Sequence, residues 1–371
     1  MTAKGKPPFR ADHVGSLLRP AALLEARARH QAGELSAQEL RAVEDQSIRD
    51  AVALQEGVGL EGITDGEYRR TYFHIDFLER IEGVSVSEAQ YTVRFRGAAK
   101  DVDFAPPVLG VSGRLGRAQP IAVDDFEFLL GATTKTPKQC IPSPSMLHFR
   151  GGRGGVDKQA YPEIEGFFAD LARIYREEIA DLGAAGCTYL QLDDTNLAYL
   201  CDPEHRERAR GIGEDPDELP HTYAKLISES VAGRPEGMTV CIHLCRGNFR
   251  SSWVAEGGYD PVAEALFNEI DVDGFFLEYD DARSGSFEPL RFVPKGKIVV
   301  LGLITTKLPE LESRDELKRR IDEASKYVPL EQLCLSPQCG FSSTDHGNDL
   351  SVEQEIAKLD LVAEVAREVW G

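Results

Sequence analysis

The sequence of 371 residues contains few cations for its length. Its 42 lysines and arginines stand against 62 aspartates and glutamates, which gives a formal net charge of −20. Nucleic-acid phosphates and anionic membranes repel so acidic a chain unless its cations are clustered, and no such cluster is visible in the sequence. The composition therefore argues against a protein that binds nucleic acid or a membrane surface.

Long apolar runs are also missing from the sequence. No uninterrupted run approaches the roughly 20 residues that a helix needs to cross a bilayer. Residues 1–14 include two lysines but no apolar stretch after them, unlike a secretory signal. We therefore expect a cytoplasmic protein, in which the seven cysteines are buried or bind metal rather than form disulfides.

The glycines form no nucleotide-binding motif. The segment 150–159, RGGRGGVDKQ, has neither the GxGxxG nor the GxxxxGK[ST] spacing of phosphate-binding loops. Because it follows a predicted strand, we interpret it as a mobile lid in preference to a nucleotide site.

Short apolar runs alternate with segments of helical periodicity along most of the chain. The eight predicted strands are 10–15, 59–64, 139–145, 188–193, 238–244, 274–278, 297–304 and 333–336. The predicted helices are 37–55, 163–182, 223–231, 261–268, 313–326 and 352–369. Eight βα units favour one closed (βα)8 barrel of the TIM type over an open doubly wound sheet, with residues 1–371 as a single domain. Residues 84–134 are predicted to be an insertion after the second strand, with a strand pair at 84–97 and a helix at 124–132.

Four residues with metal-ligand side chains end or follow predicted strands. His243 and Cys245 are two residues apart at the end of the fifth strand, so their side chains point to the same side. Glu278 ends the sixth strand, and Cys339 follows the eighth. Taken alone, the His243–Cys245 pair favours a buried core. All four meet at one barrel rim, where active sites are built, and a set of nitrogen, thiolate and carboxylate ligands suits zinc. The other cysteines are interpreted as core residues: Cys140, Cys187, Cys201, Cys241 and Cys334.

These four residues, in this order, resemble the zinc ligands of the cobalamin-independent methionine synthases. In that family a histidine and a cysteine in an HxC arrangement, a glutamate on the next strand and a cysteine in a CG motif bind a catalytic zinc ion. The resemblance runs from about residue 11 to the C-terminus and is strongest to the shorter, single-barrel members. It implies that His243, Cys245, Glu278 and Cys339 bind Zn²⁺ and that the protein is a zinc-dependent methyltransferase.

The same resemblance assigns homocysteine to three further strand ends. HVGS ends in Ser16, which matches the family segment that contacts homocysteine. In TDGEYRR, Glu67 matches the glutamate that holds the substrate amino group. In QLDD, Asp193 matches an aspartate that meets the same ammonium and is predicted to be catalytic. The neighbouring Asp194 is equally well explained as a solvated carboxylate at the rim.

The sequence departs from the long methionine synthases on the side of the methyl donor. It leaves no room for their additional N-terminal barrel, and its charge of −20 gives little attraction for a polyglutamylated folate. Lys307 stands where the family has a histidine, and it is a candidate catalytic acid or partner of an anionic group. Phe149, or His148, stands where the family has a tryptophan that stacks on the pterin. Arg246 is a candidate to bind a substrate carboxylate or sulfonate beside the metal.

The resemblance and the strand-end residues together predict an enzyme that transfers a methyl group to the sulfur of homocysteine, yielding methionine. Zinc would favour the thiolate form of the substrate, whose free thiol is mostly protonated at neutral pH. The methyl donor, the oligomeric state and the role of His346, a loop residue or a proton relay, are left open. Alternatives are an alkyltransferase that opens an epoxide with coenzyme M, a non-catalytic barrel that binds zinc and thiols, and a metal-free barrel of the decarboxylase type.

Overall fold

Six parallel strands form the continuous part of the central sheet. The computed structural model describes residues 5–88, 92–97 and 101–371. The six strands are hydrogen-bonded in chain order: Gln139–Pro142, Tyr189–Asp194, Thr239–Leu244, Gly274–Glu278, Ile298–Ile304 and Leu333–Pro337. Almost every residue in them is buried, as expected for strands that are covered on both faces.

Two further strand positions close this sheet into a ring. Gly62–Ile63 pairs in parallel with Thr136–Pro137, and Lys138 joins that short strand to the first of the six. Ala11 forms a parallel bridge to Leu335 in the last strand. The predicted (βα)8 barrel is therefore confirmed.

The first strand position is shorter than predicted, since residues 10–15 make only this one bridge. The carboxylate of Asp12 accepts hydrogen bonds from the backbone N–H groups of Phe9, at 3.0 Å, and His13, at 2.8 Å. These side-chain bonds to the backbone replace the hydrogen bonds of a strand ladder.

Helices follow the strands and pack against the outside of the ring. Those of the α type are Ala21–Gln31, Ala37–Gly57, Ile75–Leu78, Val123–Ala132, Ile164–Ala184, Asn196–Tyr199, Pro203–Gly211, Leu219–Val231, Arg314–Ala324 and Val352–Trp370. The 3-10 turns are Pro144–Leu147, Gly152–Gly155, Ala282–Ser284, Glu288–Phe292 and Leu330–Gln332, and the helix predicted near 261–268 is a π-helical turn, Ala265–Glu269. Ser36 and Ser351 begin the second and the last α-helix with capping boxes, which explains why these boundaries were readable from the sequence. Within the described ranges, none of the helices is long and apolar enough to cross a membrane.

The insertion after the second strand position folds back over the C-terminal rim of the barrel. Glu82–Ser87 pairs antiparallel with Val108–Gly116, and Val93–Gly97 pairs with both Val102–Phe104 and Ser252–Trp253. Both strands predicted within 84–97 exist, but the prediction that they pair with each other is wrong. Alternating hydrophobicity marks a strand without naming its partner, and here the partner lies in the loop after the fifth barrel strand. The helix Val123–Ala132 confirms the rest of the prediction.

The lower interior of the barrel is closed by packed side chains. Tyr189, Phe276 and Val300 form a buried cluster there together with Cys241 and Cys334. All five cysteines that were interpreted as core residues are buried. The open end of the barrel is therefore the C-terminal rim, where the predicted site residues lie.

Candidate active site

Four predicted ligands meet at the C-terminal rim. His243 lies in the strand Thr239–Leu244 and Cys245 directly follows it, Glu278 ends Gly274–Glu278, and Cys339 follows Leu333–Pro337 by two residues. All four are buried, and one potential ligand atom from each lies within 4.8 Å of the others. The two sulfur atoms are 3.2 Å apart. The period of two along the fifth strand and the parallel order of the strands bring these side chains together.

The polar atoms of this quartet are only partly satisfied. The Nδ1 atom of His243 lies 3.2 Å from Oδ1 of Asp193, which fixes the orientation of the ring. Oε1 of Glu278 accepts the backbone N–H of Arg246 at 2.9 Å. Nε2 of His243 and Oε2 of Glu278 are buried without a hydrogen-bond partner in the part of the chain that the structure describes. An unpaired buried nitrogen and oxygen beside two thiols form the donor set of a tetrahedral zinc site, so these residues fit that metal.

The two thiols differ in their electrostatics. Burial raises the pKa of the Cys339 thiol, but the neighbouring Cys245 and His243 outweigh it and hold that pKa well below its ordinary value. The pKa of Cys245 is raised by its hydrogen bond to Cys339 and by burial. Lys307 adds a positive charge that also favours the Cys339 thiolate. The site therefore stabilises at least one thiolate at neutral pH, which is the form that binds metal.

A small cavity adjoins the quartet, and we call it the carboxylate chamber. It has a volume of about 20 Å³. The predicted substrate residues Ser16, Glu67 and Asp193 all line it, together with His243, Cys245 and Cys339. Gly340 makes this arrangement possible, because a Cβ atom at that position would lie 1.9 Å from Oγ of Ser16.

Glu67 is held in the carboxylate chamber by an unusual backbone conformation. Its φ is +59°, a left-handed value that non-glycine residues rarely adopt, and its N–H donates to Oδ1 of Asp65 at 2.9 Å. Oε2 of Glu67 is 3.9 Å from Nη1 of Arg70 and has no hydrogen-bond partner among the described residues. Burial raises the pKa of Glu67 to about 8, with Arg70 opposing the shift and Asp193 adding to it. A cationic ligand group here would relieve the cost of two buried carboxylates.

A second cavity lies on the other side of Cys245, and we call it the aromatic chamber. It has a volume of about 50 Å³ and shares Cys245, Phe73 and Ser343 with the carboxylate chamber. The rings of Phe104 and Phe249 stack there with their centroids 4.3 Å apart. The other aromatic residues that line it are Tyr72, Phe73, Phe95 and Tyr199.

Three predicted site residues lie outside both chambers. The guanidinium of Arg246 is fully buried over the ring of Tyr259, 4.5 Å from its centroid. Nζ of Lys307 is 3.4 Å from Oδ1 of Asn248, and only Asn248 of this pair lines the aromatic chamber. Phe149 lines a neighbouring pocket behind Tyr199. The structure therefore does not bring these three side chains to the mouth where the sequence had placed them.

The neighbouring alternatives named from the sequence are explained by local packing. His148 is buried, with Nδ1 2.9 Å from the hydroxyl of Tyr223, so it is not a ring of either chamber. Asp194 accepts the N–H of Leu197 at 2.8 Å and is fully buried, which corrects its interpretation as a solvated carboxylate. The ring of His346 packs beside Phe249, with a centroid distance of 5.0 Å.

The sequence interpretation missed most of the aromatic chamber. Phe95 and Phe104 come from the insertion, while Arg150 and His74 follow barrel strands as parts of loops. The only available signal was the density of aromatic residues in 72–77 and 93–104, and this density does not reveal where those segments fold.

The barrel and the thiol-rich centre at its C-terminal rim place the protein among the (βα)8-barrel enzymes. Residues 9–368 match the family model described as "Cobalamin-independent synthase, Catalytic domain". The chain therefore belongs to the cobalamin-independent methionine synthase family, a family of methyltransferases.

Individual relatives agree with this membership. The uncharacterized protein YxjH of Bacillus subtilis (strain 168) is 47% identical over 98% of this chain and 96% of its own length. A structure from Listeria monocytogenes, provisionally assigned as a vitamin-B12-independent methionine synthase, is 39% identical with a TM-score of 0.78 over 99% of both chains. A 5-methyltetrahydropteroyltriglutamate–homocysteine methyltransferase of Synechococcus sp. is 23% identical over 91% of this chain but only 41% of its own length. The chain thus spans less than half of such long relatives.

Proposed function

We propose that this protein is a zinc-dependent methyltransferase that methylates the sulfur of homocysteine to give methionine. The observation that carries the proposal is the position of Cys245, which belongs at once to the ligand quartet, the carboxylate chamber and the aromatic chamber. An acceptor in one chamber and a donor in the other would meet at this residue. We include in the proposal a cytoplasmic location and the organisation of residues 1–371 as a single domain.

His243, Cys245, Glu278 and Cys339 are the proposed ligands of the zinc ion. A bound zinc ion would supply a Lewis acid that favours the thiolate form of the acceptor. Asp193 holds the histidine ring through Nδ1, which leaves Nε2 free for the metal. The burial of the whole quartet excludes water and strengthens these interactions.

Glu67 and Asp193 are the proposed partners of the acceptor's ammonium group, with Ser16 contacting the same molecule. Their negative charges favour an amino-acid thiol over a sulfonated thiol such as coenzyme M, because a sulfonate would be repelled in this chamber. Homocysteine carries the required ammonium group, so it is the acceptor that the chamber supports best.

Lys307 supports the site electrostatically in this proposal. Its ammonium lies outside both chambers, and its positive charge lowers the pKa of the Cys339 thiol and of the Glu278 carboxyl. This placement favours stabilisation of anionic ligands over proton donation to a donor leaving group. Arg246 and Phe149 receive no role at the reacting atoms.

Metal analysis tests the proposal directly. We expect about one zinc ion per chain in the purified protein and less than about a tenth of that in Cys245→Ser. Cys241→Ser is the matched control, because Cys241 is a buried residue on the same strand that belongs to the lower barrel core. Equal zinc contents in all three proteins would contradict the metal assignment, and methionine formation that survives Cys339→Ala would contradict the site.

A further inference from the structure

The aromatic chamber has a chemical character of its own. Six aromatic side chains line it, and in the described part of the chain no aspartate, glutamate or lysine does. Arg150 is the single fully charged side chain of the lining. Its Nη1 atom is buried and has no hydrogen-bond partner among the described residues. A buried guanidinium nitrogen without a partner calls for an anionic group of a ligand.

The faces of the aromatic rings favour the opposite charge. Phe249 is central, since its ring contacts Phe104 at 4.3 Å and Phe95 at 5.2 Å between centroids. Aromatic faces attract onium groups through the negative potential of their π systems. A ligand that suits both features carries a cationic head for the rings and an anionic group for Arg150.

The size of the chamber favours a small head group. A water-sized occupant takes roughly 10–15 Å³ of such space, so about 50 Å³ holds about four non-hydrogen atoms. A methylated sulfonium or ammonium centre has this size, whereas a bicyclic pterin is several times larger.

The titratable groups of the lining also suit an onium donor. The imidazole of His74 has its pKa lowered well below the ordinary value, first by burial and second by Arg150, so it carries no proton at neutral pH. A folate amine must be protonated before it can leave, but an onium group leaves as a neutral sulfide or tertiary amine without receiving a proton.

We infer that the alkyl donor of this enzyme is a zwitterionic onium carboxylate, bound with its methylated cationic head among Phe104, Phe249 and Tyr199 and its carboxylate on Arg150. This inference rests on the proposed function. In the reaction, the homocysteine thiolate forms a bond to a methyl carbon of the onium group. The bond between that carbon and the sulfonium or ammonium atom breaks, and its electron pair stays on the leaving atom. The thiol proton has already gone to solvent, so charges and atoms balance.

Binding to the zinc-loaded enzyme tests the head group first. Calorimetry compares glycine betaine with 3,3-dimethylbutyrate, which has the same shape but an uncharged head. We expect betaine to bind at least about fivefold more tightly, and Phe249→Leu to reduce this preference, because leucine keeps the apolar volume but not the π face. Equal binding of the two probes would show a merely apolar chamber and overturn the inference.

Arg150→Met tests the anionic end. We expect it to weaken binding of dimethylsulfonioacetate about tenfold or more and to leave trimethylsulfonium, which has no carboxylate, unchanged. Arg150→Lys should recover part of the loss, and Arg291→Met, a half-exposed arginine outside both chambers, should behave like the wild type. Equal weakening of both probes in Arg150→Met would overturn the assignment of Arg150.

Turnover separates this inference from the proposed function. With homocysteine, we expect methionine from dimethylsulfonioacetate. Methionine from 5-methyltetrahydrofolate or methylcobalamin alone, with no binding of the onium probes, would leave the proposed function intact and overturn the donor class. Tight, Arg150-dependent binding of the onium probes without methionine from any donor would support the chamber assignment and contradict homocysteine methylation.

Discussion

Buried charges occupy both ends of this barrel, but they are treated in opposite ways. At the lower end, Nζ of Lys138 lies 3.1 Å from Oδ1 of Asp12 with both side chains fully inaccessible. The same carboxylate accepts the hydroxyl of Tyr189 at 2.8 Å and two backbone N–H groups. At the rim, by contrast, Glu67, His243 and Glu278 each keep one buried polar atom without a partner in the described structure.

The difference separates structural charges from functional ones. A buried ion pair with all its hydrogen bonds made is self-contained and needs nothing further to be stable. Unpaired buried atoms cost free energy that only a ligand can recover, and here they cluster at one rim. Substitutions at the two ends should therefore affect different properties, and four predictions test this.

Lys138→Met should have the largest effect on stability. It leaves the Asp12 charge without its cation, and we expect the free energy of unfolding to fall by about 3–5 kcal/mol in chemical denaturation. The double variant Lys138→Met/Asp12→Asn should recover a large part of this loss. A loss confined to zinc binding, with unchanged stability, would contradict the assignment of this pair as structural.

Glu355 extends the comparison to a buried carboxyl that lies away from both ends. Burial raises its pKa to about 8, and its Oε1 accepts the N–H of Leu18 at 3.1 Å. The folded protein keeps this proton while the unfolded chain loses it near pH 4.5, so stability should fall by about 2–3 kcal/mol as the pH rises from 5 to 8. Glu355→Gln should flatten that slope, as measured by denaturation at several pH values. Parallel pH profiles of the variant and the wild type would contradict the raised pKa.

Asp193→Asn should weaken metal binding with little effect on folding. The amide orients His243 less well, and loss of such a partner typically lowers metal affinity about 10–100-fold. Competition with a chromogenic chelator measures this affinity, with the melting temperature as the control for folding. An unchanged affinity would mean that the contact between Asp193 and His243 does not support the metal.

Glu67→Gln should have the smallest and most selective effect. Glu67 lies in the same chamber but is not one of the four proposed ligands, so we expect normal zinc content and a homocysteine affinity reduced about tenfold. Titration calorimetry with homocysteine checks the first property against the second. Simultaneous loss of zinc and substrate binding would make the residue structural.

The ligand quartet could be predicted from the sequence because it depends on local periodicity and strand order. Residues 243 and 245 share a side by the period of two, and consecutive parallel strands end at one rim. The same rule would have placed Arg246 correctly, since it follows Cys245 by one residue and points elsewhere. The barrel itself followed from eight alternating units, although the first strand lost its ladder to the side chain of Asp12.

The aromatic chamber could not be predicted, because it depends on tertiary pairing. Phe95 reaches Phe249 only because Val93–Gly97 pairs with Ser252–Trp253, two segments about 155 residues apart in the chain. Neither the periodicity of the insertion nor its composition specifies that register.

The close approach of Gly340 to Ser16 has a consequence for how the site is assembled. Ala11 and Leu335 form the seam where the two extremes of the chain meet to complete the ring, and the carboxylate chamber is built across this seam. No partial barrel could then enclose the chamber. Reactivity of Cys339 towards a thiol reagent during refolding would report ring closure itself, a topological event that most barrels complete without a chemical signature.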